Sequence, residues 1–145
     1  MTQNFSQHKN SYLFYLGAAV IAVVLSSMLK KQVVSIQADR ILQVVVVLVS
    51  ATAFIFYRIF KKQLMGLKDI SSVEERFNKY SVSYKNFWFQ LFVIIAIDSF
   101  GFFVTANSSF LILTFSVFIF LILFFPTRMG AQILLKIPKE HPVLK

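Results

Sequence analysis

The chain has 145 residues, of which 57% are apolar and 14% charged, and its formal net charge is +9. A soluble globular domain has about 25% charged residues, so a chain with a mean hydropathy of +0.71 has too few of them to cover a water-exposed surface. The absence of cysteine excludes disulfides, thiolate metal sites, iron–sulfur clusters and cysteine nucleophiles.

Four apolar stretches follow in chain order, and each is close to the roughly 20 residues that cross a bilayer as a helix. They cover residues 12–29, 41–60, 87–104 and 110–125. The run VVVVLV at residues 44–49 does not alternate apolar and polar residues as a membrane β-strand does. The sequence therefore predicts an all-α integral membrane protein, with four transmembrane helices in two antiparallel hairpins and short amphipathic cytoplasmic segments. We expect a single membrane domain over the whole chain.

A loop at residues 61–86 connects the second and third stretches. Within it, residues 72–75 have the S-x-x-E form of a capping box, which predicts a short helix beginning near Val73. Phe77 and Tyr80 would lay that helix on the membrane surface. A simple solvated linker is the alternative.

The tail at residues 126–145 begins with Pro126, which ends the fourth helix. Arg128, Gln132 and Lys136 then recur every four residues. This spacing favours an amphipathic helix in the membrane plane, with its basic stripe toward lipid headgroups. Here too, a solvated linker is the alternative.

Basic residues are unevenly divided between the two sides of the predicted bundle. Three would lie on the side of the first and third connections, and twelve on the side of the termini. The twelve are Lys9, Arg58, Lys61, Lys62, Lys68, Arg76, Lys79, Lys85, Arg128, Lys136, Lys139 and Lys145. The positive-inside rule therefore places both termini in the cytoplasm, and we expect a bacterial cytoplasmic (inner) membrane.

Four of these basic residues, Lys61, Lys62, Arg128 and Lys136, flank the predicted spans and are expected to contact anionic lipid headgroups. The net charge could also suggest nucleic-acid binding. That function needs a basic face with stacking aromatics or an element that reads a groove, and the sequence contains neither. The lipid bilayer is therefore the expected partner, and nucleic acid is not.

Asp98 is the one acidic residue inside a predicted span, where a carboxyl group is costly unless it is paired, hydrated or functional. Other polar residues fall in the same outer halves of the spans. One hypothesis is a ligand or ion site in an outward-facing polar pocket, with Gln43 as hydrogen-bond partner and Lys30, Lys31 or Arg40 as counter-charges. Its residues would be Asp98, Gln43, Ser50, Thr105 and Ser26.

The alternative is that Asp98 joins helices within the protein or to a partner. Ala18, Ala22 and Ser26 form a small-residue stripe that would let another helix approach closely, and Gly101 shares a face with Asp98. Because four short spans bury only a thin core, we expect association with copies of the chain or with another membrane subunit.

Signatures of enzymes are largely missing. His8 and His141 lie in opposite tails, the four glycines form no phosphate-binding loop, and Asp98 has no second carboxylate beside it in the spans. The leading interpretation is a non-enzymatic subunit of a membrane complex, without metal or cofactor. The alternative is a small oligomeric channel or carrier that depends on Asp98.

Overall fold

The computed structural model describes residues 4–29 and 36–144, and the regular structure in this part of the chain is entirely helical. Five α-helices follow one another: α1 (Phe5–Leu29), α2 (Ile36–Met65), α3 (Val73–Thr105), α4 (Ser108–Leu123) and α5 (Arg128–Leu135). Short 3₁₀ turns cover Gly66–Asp69 and Pro142–Leu144. The predicted all-α class is confirmed. The predicted connection at residues 30–40 lies partly outside the described residues.

Three helices are long and apolar enough to span a membrane. They are α1, α2 and α3, whose 25, 30 and 33 residues are enough to cross a bilayer. Helix α4 has only 16 residues, or about 24 Å at 1.5 Å per residue, and α5 bends away from it by 69°. The structure thus has four spans only if α4 and α5 are counted together as one broken span.

Helix α3 includes the segment that was predicted to be a separate surface helix, and that prediction is wrong. The helix does begin at Val73, and Ser72 caps it by accepting a hydrogen bond from the backbone N–H of Glu75. It then continues to Thr105, because no proline or glycine interrupts the chain before Gly101. Phe77 and Tyr80 are buried against protein and do not lie on a lipid surface.

A two-residue turn joins α3 to α4. Ala106 ends α3 in the left-handed conformation, with φ at 54°, and Asn107 caps α4 by accepting from the backbone N–H of Ser109 at 3.0 Å. Such a short connection makes the two helices antiparallel neighbours. We call this end of the bundle the hairpin end.

The opposite end contains a cluster of buried apolar side chains contributed by five different segments. This terminal cluster comprises Phe5, Leu67, Phe77, Tyr80, Ala131, Leu135, Ile137, Val143 and Leu144. Arg76 strengthens it by donating to the backbone carbonyls of Ile70 and Leu135. The first helix, the α2–α3 connection and the C-terminal segment therefore meet at one end, which we call the terminal end.

Helix α3 forms the centre of the bundle, and α1, α2 and α4 pack around it. In the most apolar 18-residue stretch of α3, 50% of the residues are buried, compared with 11% in the corresponding stretch of α2. The outward sides of α1, α2 and α4 expose large apolar side chains such as Phe14, Leu48 and Ile112. An apolar exterior around long helices is what a lipid solvent requires. The architecture is that of a polytopic membrane protein.

Candidate functional site

Asp98 lies on the side of α3 that faces α2, and it is fully buried at 0% exposure. Ser50 of α2 donates its hydroxyl hydrogen to the Oδ2 atom of Asp98 at 3.0 Å. The Oδ1 atom is buried and has no hydrogen-bond partner within the described ranges. Two of the five residues proposed for the ligand site, Asp98 and Ser50, are therefore brought together. Their contact joins α2 to α3 within one chain.

Gln43 is not part of this pair. Its Nε2 atom donates to the Oδ2 atom of Asp39 at 3.2 Å, and the same oxygen accepts from the Nδ2 atom of Asn107 at 2.9 Å. This second polar cluster ties the beginning of α2 to the turn at the hairpin end. Lys30 and Lys31, which were considered as counter-charges for Asp98, lie outside the described residues.

The two remaining residues of the hypothetical pocket bond to their own helices. Thr105 donates to the carbonyl of Gly101 at 2.8 Å, and Ser26 donates to the carbonyl of Val23 at 2.9 Å. Hydroxyl groups in membrane helices commonly make such local bonds. Only Ser50 of the proposed partners therefore bonds to Asp98, and Gln43, Thr105 and Ser26 make separate contacts elsewhere.

At Gly101, the ring of Phe110 from α4 packs directly against the backbone of α3. A Cβ atom added at this position would lie 2.4 Å from Cδ1 and 2.5 Å from Cε1 of Phe110, far inside van der Waals contact. Phe110 is itself fully buried. Only a residue without a side chain fits between the helices here.

The small residues of α1 face α3 inside the same chain. Ala22 and Ser26 line a cavity of about 220 Å³ together with Ala96 and Ser99 of α3, and Ala18 is half-buried. Small residues on both helices allow their backbones to come close. The stripe therefore has an intramolecular partner in α3.

The four residues expected at lipid headgroups are all exposed at the terminal end. Lys61 and Lys62 lie in the last turns of α2, and Lys136 ends α5 in the left-handed conformation. The guanidinium carbon of Arg128 lies 5.8 Å from the centre of the Phe5 ring. On α5, buried Ala131 and Leu135 lie opposite exposed Met129 and Ile133, so this helix has an apolar face toward the terminal cluster and another that is free.

A groove between α2 and α3 was not anticipated from the sequence. It runs from the terminal end toward the middle of the bundle and consists of two cavities, of about 720 and 230 Å³, that share Ile59, Gln63 and Ser83. Lys62 and Lys79 line its terminal end, and Phe56, Phe60, Phe87 and Phe89 line its inner end. We call it the amide groove.

Four amide side chains give the groove its name: Gln63, Asn78, Asn86 and Gln90. None of the four has a hydrogen-bond partner in the part of the chain that the structure describes. Gln63 lies on α2 and the other three lie on α3, so the sequence could place them in one groove only if the pairing of α2 with α3 were known. The one indication in the sequence was Gln90, a polar residue near the beginning of the apolar stretch at residues 87–104.

His8 also differs from its sequence interpretation, since it belongs to α1 and not to a free tail. It is fully buried, and its Nδ1 atom lies 3.0 Å from the Oγ atom of Ser81. Five aromatic rings lie around it with centroids 4.8–6.2 Å away, those of Phe5, Phe77, Tyr80, Tyr84 and Trp88. The ring joins α1 to the beginning of α3 at the terminal cluster.

The chemistry these arrangements offer is hydrogen bonding and packing between helices. Within residues 4–29 and 36–144, no group of three or more His, Asp or Glu side chains is placed to hold a metal ion. No family model matches the chain, and neither a curated protein nor a solved structure matches it.

Proposed function

We propose that the protein is a non-enzymatic component of a membrane complex, and that it assembles through one open face of α3. Its partner is a transmembrane helix of a second copy or of another membrane subunit. We place the terminal end in the cytoplasm, because the basic residues concentrate there. We propose a bacterial cytoplasmic membrane as the location.

The open face is the observation that carries this proposal. Helix α1 packs on one side of α3, where Tyr15 contacts Phe92, and α2 packs on another, where Phe60 stacks on Phe87 with centroids 4.5 Å apart. Between these two sides, the central helix of the bundle is uncovered. Its exposed residues there are Val93, Ile97 and Phe100.

The spacing of these residues suits a helix as the occupant. Ile97 follows Val93 by four positions and Phe100 follows Ile97 by three, which forms a ridge that can pack into the groove of another helix. In lipid, association of helices depends on such packing and not on the hydrophobic effect. Helices α1 and α2 would flank the partner helix on either side.

A channel or carrier that uses Asp98 receives less support. Solute coupling requires the carboxyl group to be reached from an aqueous side, whereas Asp98 is fully buried and bonded to Ser50. The cavities beside it, lined by Ser50 on one side and Ser99 on the other, do not include Asp98 in their walls. We therefore assign Asp98 to the joining of α2 and α3.

Photo-crosslinking in native membranes tests the open face. Benzoylphenylalanine replaces Phe100 on the open face in one variant and Phe115 on the outward side of α4 in the other, and the two native side chains are 64% and 54% exposed. We expect a discrete protein adduct from position 100 only. An adduct with twice the mass of the chain identifies self-association, and any other mass identifies a second subunit.

Exclusive labelling of lipid at position 100, or equal protein adducts at both positions, would contradict the proposal. Because both sites carry the same probe at similar exposure, random collision predicts equal yields. Proton or solute flux through reconstituted protein that is lost in Asp98→Asn would instead favour the carrier.

A further inference from the structure

We propose that the amide groove holds one anionic phospholipid of the leaflet at the terminal end. The phosphate would lie near Lys62 and Lys79, the glycerol region near the amide side chains, and an acyl chain against the inner phenylalanines. The groove meets the open face of α3 at its inner end, where Phe89 and Gln90 lie one helical turn before Val93. Its lysines lie at the other end, and lipid binding there does not depend on assembly.

The lysines and the phenylalanines lie at opposite ends of the groove, as the phosphate and the acyl chains do in a phospholipid. Lys62 and Lys79 line the cavity at the terminal end, the four phenylalanines line the inner cavity, and amides line both cavities. From Lys79 to Gln90 the groove extends over eleven residues of α3, or about 16 Å at 1.5 Å per residue. That length covers a headgroup, a glycerol unit and the beginning of an acyl chain.

Charge favours an anionic occupant. Lys62 is exposed and forms no ion pair with any described residue, so its charge is free to meet a phosphate. Lys79 pairs with Glu75 at 2.9 Å, but both side chains are 56% exposed and the pair is therefore weak. A phosphate can replace the carboxylate of Glu75 as the partner of Lys79.

The amides can reach a lipid in the groove, because Asn86 is exposed and Gln90 is half-buried. Asn86 and Gln90 lie beside Phe87 and Phe89, at the level where the apolar stretch of α3 begins. An unpaired amide at the edge of the hydrocarbon region is costly. The ester carbonyls and hydroxyl groups of a phospholipid occupy the same depth and accept or donate the missing hydrogen bonds.

The volume also fits one lipid headgroup region. The larger cavity is an open groove of about 720 Å³, which is within the range of about 300–1,000 Å³ for sites that bind small molecules. Val82, on the wall of this cavity, is partly exposed, so the groove is open along its side for an acyl chain to leave toward the bilayer.

Native mass spectrometry of the full chain tests the site. The protein is reconstituted in nanodiscs of equimolar phosphatidylglycerol and phosphatidylcholine, and lipid retained after release is counted. We expect one retained phosphatidylglycerol and no retained phosphatidylcholine. The double variant Lys62→Gln/Lys79→Gln should weaken phosphatidylglycerol binding about tenfold or more. The control variant Lys61→Gln removes a neighbouring charge that does not line the groove, and it should retain the lipid.

Two further variants separate charge from shape. Val82→Trp fills the groove while keeping every lysine, and it should also lose the lipid. Glu75→Gln frees Lys79 from its ion pair, so it should bind more tightly. Circular dichroism and elution volume verify that each variant is folded.

The proposal is overturned if Lys61→Gln and the double variant lose lipid equally, because binding would then reflect general surface charge. Equal retention of phosphatidylcholine and phosphatidylglycerol would also overturn it, as would unchanged binding in Val82→Trp. Finding a protein segment bound in the groove, in place of lipid, would also overturn the proposal.

Discussion

Replacing Gly101 by alanine tests the contact between α3 and α4 most directly. The new Cβ atom would lie 2.4 Å from Cδ1 of Phe110, whereas unstrained carbon atoms are separated by about 3.5–4.0 Å. Phe110 is fully buried and cannot swing into open space, so α4 must move outward by about 1 Å. Overpacking of this kind costs about 1–3 kcal/mol, and the better helix propensity of alanine returns at most about 1 kcal/mol. Subtracting the full gain leaves a net loss of up to about 2 kcal/mol.

The measurement is reversible unfolding in mixed micelles, followed by circular dichroism and by the fluorescence of Trp88, the single tryptophan. Gly17→Ala is the matched control, because Gly17 is also in a helix interior and nothing lies within 4 Å of its added Cβ atom. It should leave stability unchanged or raise it slightly. Phe110→Leu should partly rescue Gly101→Ala by making room. Equal effects of the two glycine substitutions, or no rescue, would refute the close approach.

Two other substitutions test the remaining contacts between helices. Asp98→Asn retains an oxygen that accepts from Ser50, so it should leave stability nearly unchanged. Asp98→Leu leaves Ser50 unpaired and should cost about 0.6–2 kcal/mol in the same unfolding assay. Identical stabilities of the two variants would argue against the hydrogen bond. His8→Ala removes a ring that five aromatic side chains surround and should cost about 3 kcal/mol. It should also shift the emission of Trp88, whose ring centroid lies 4.8 Å from that of His8, and an unchanged spectrum would show that the cluster does not depend on His8.

Much of the architecture could be predicted because lipid simplifies the relation between sequence and structure. Length and apolarity alone located α1, α2 and residues 87–104 of α3, because a helix forms all of its backbone hydrogen bonds internally and is therefore stable in hydrocarbon. The capping pattern before Val73 was informative because Ser72 and Glu75 are local in sequence. The extension of α3 was missed because burial of Phe77 and Tyr80 depends on residues from the C-terminal segment.

Contacts between side chains were harder to anticipate than helices. The prediction singled out Asp98 for its cost in lipid, but it paired the residue with Gln43 where the structure has Ser50. Both polar residues lie on the same face of α2, seven positions apart, so only their depth along the helix axis, about 10 Å apart, distinguishes them. Asp39 was overlooked because its partner Asn107 is 68 positions away in the sequence. The amide groove was missed for the same reason, since its two walls are separate helices.

The continuity of α3 has a mechanical consequence. As a single rod of 33 residues, about 50 Å long, it passes from the hairpin end to the terminal cluster without a break. Val73 lies 25 residues from Asp98, or about 38 Å, so the contact with Ser50 and the terminal cluster are connected by one unbroken ladder of backbone hydrogen bonds.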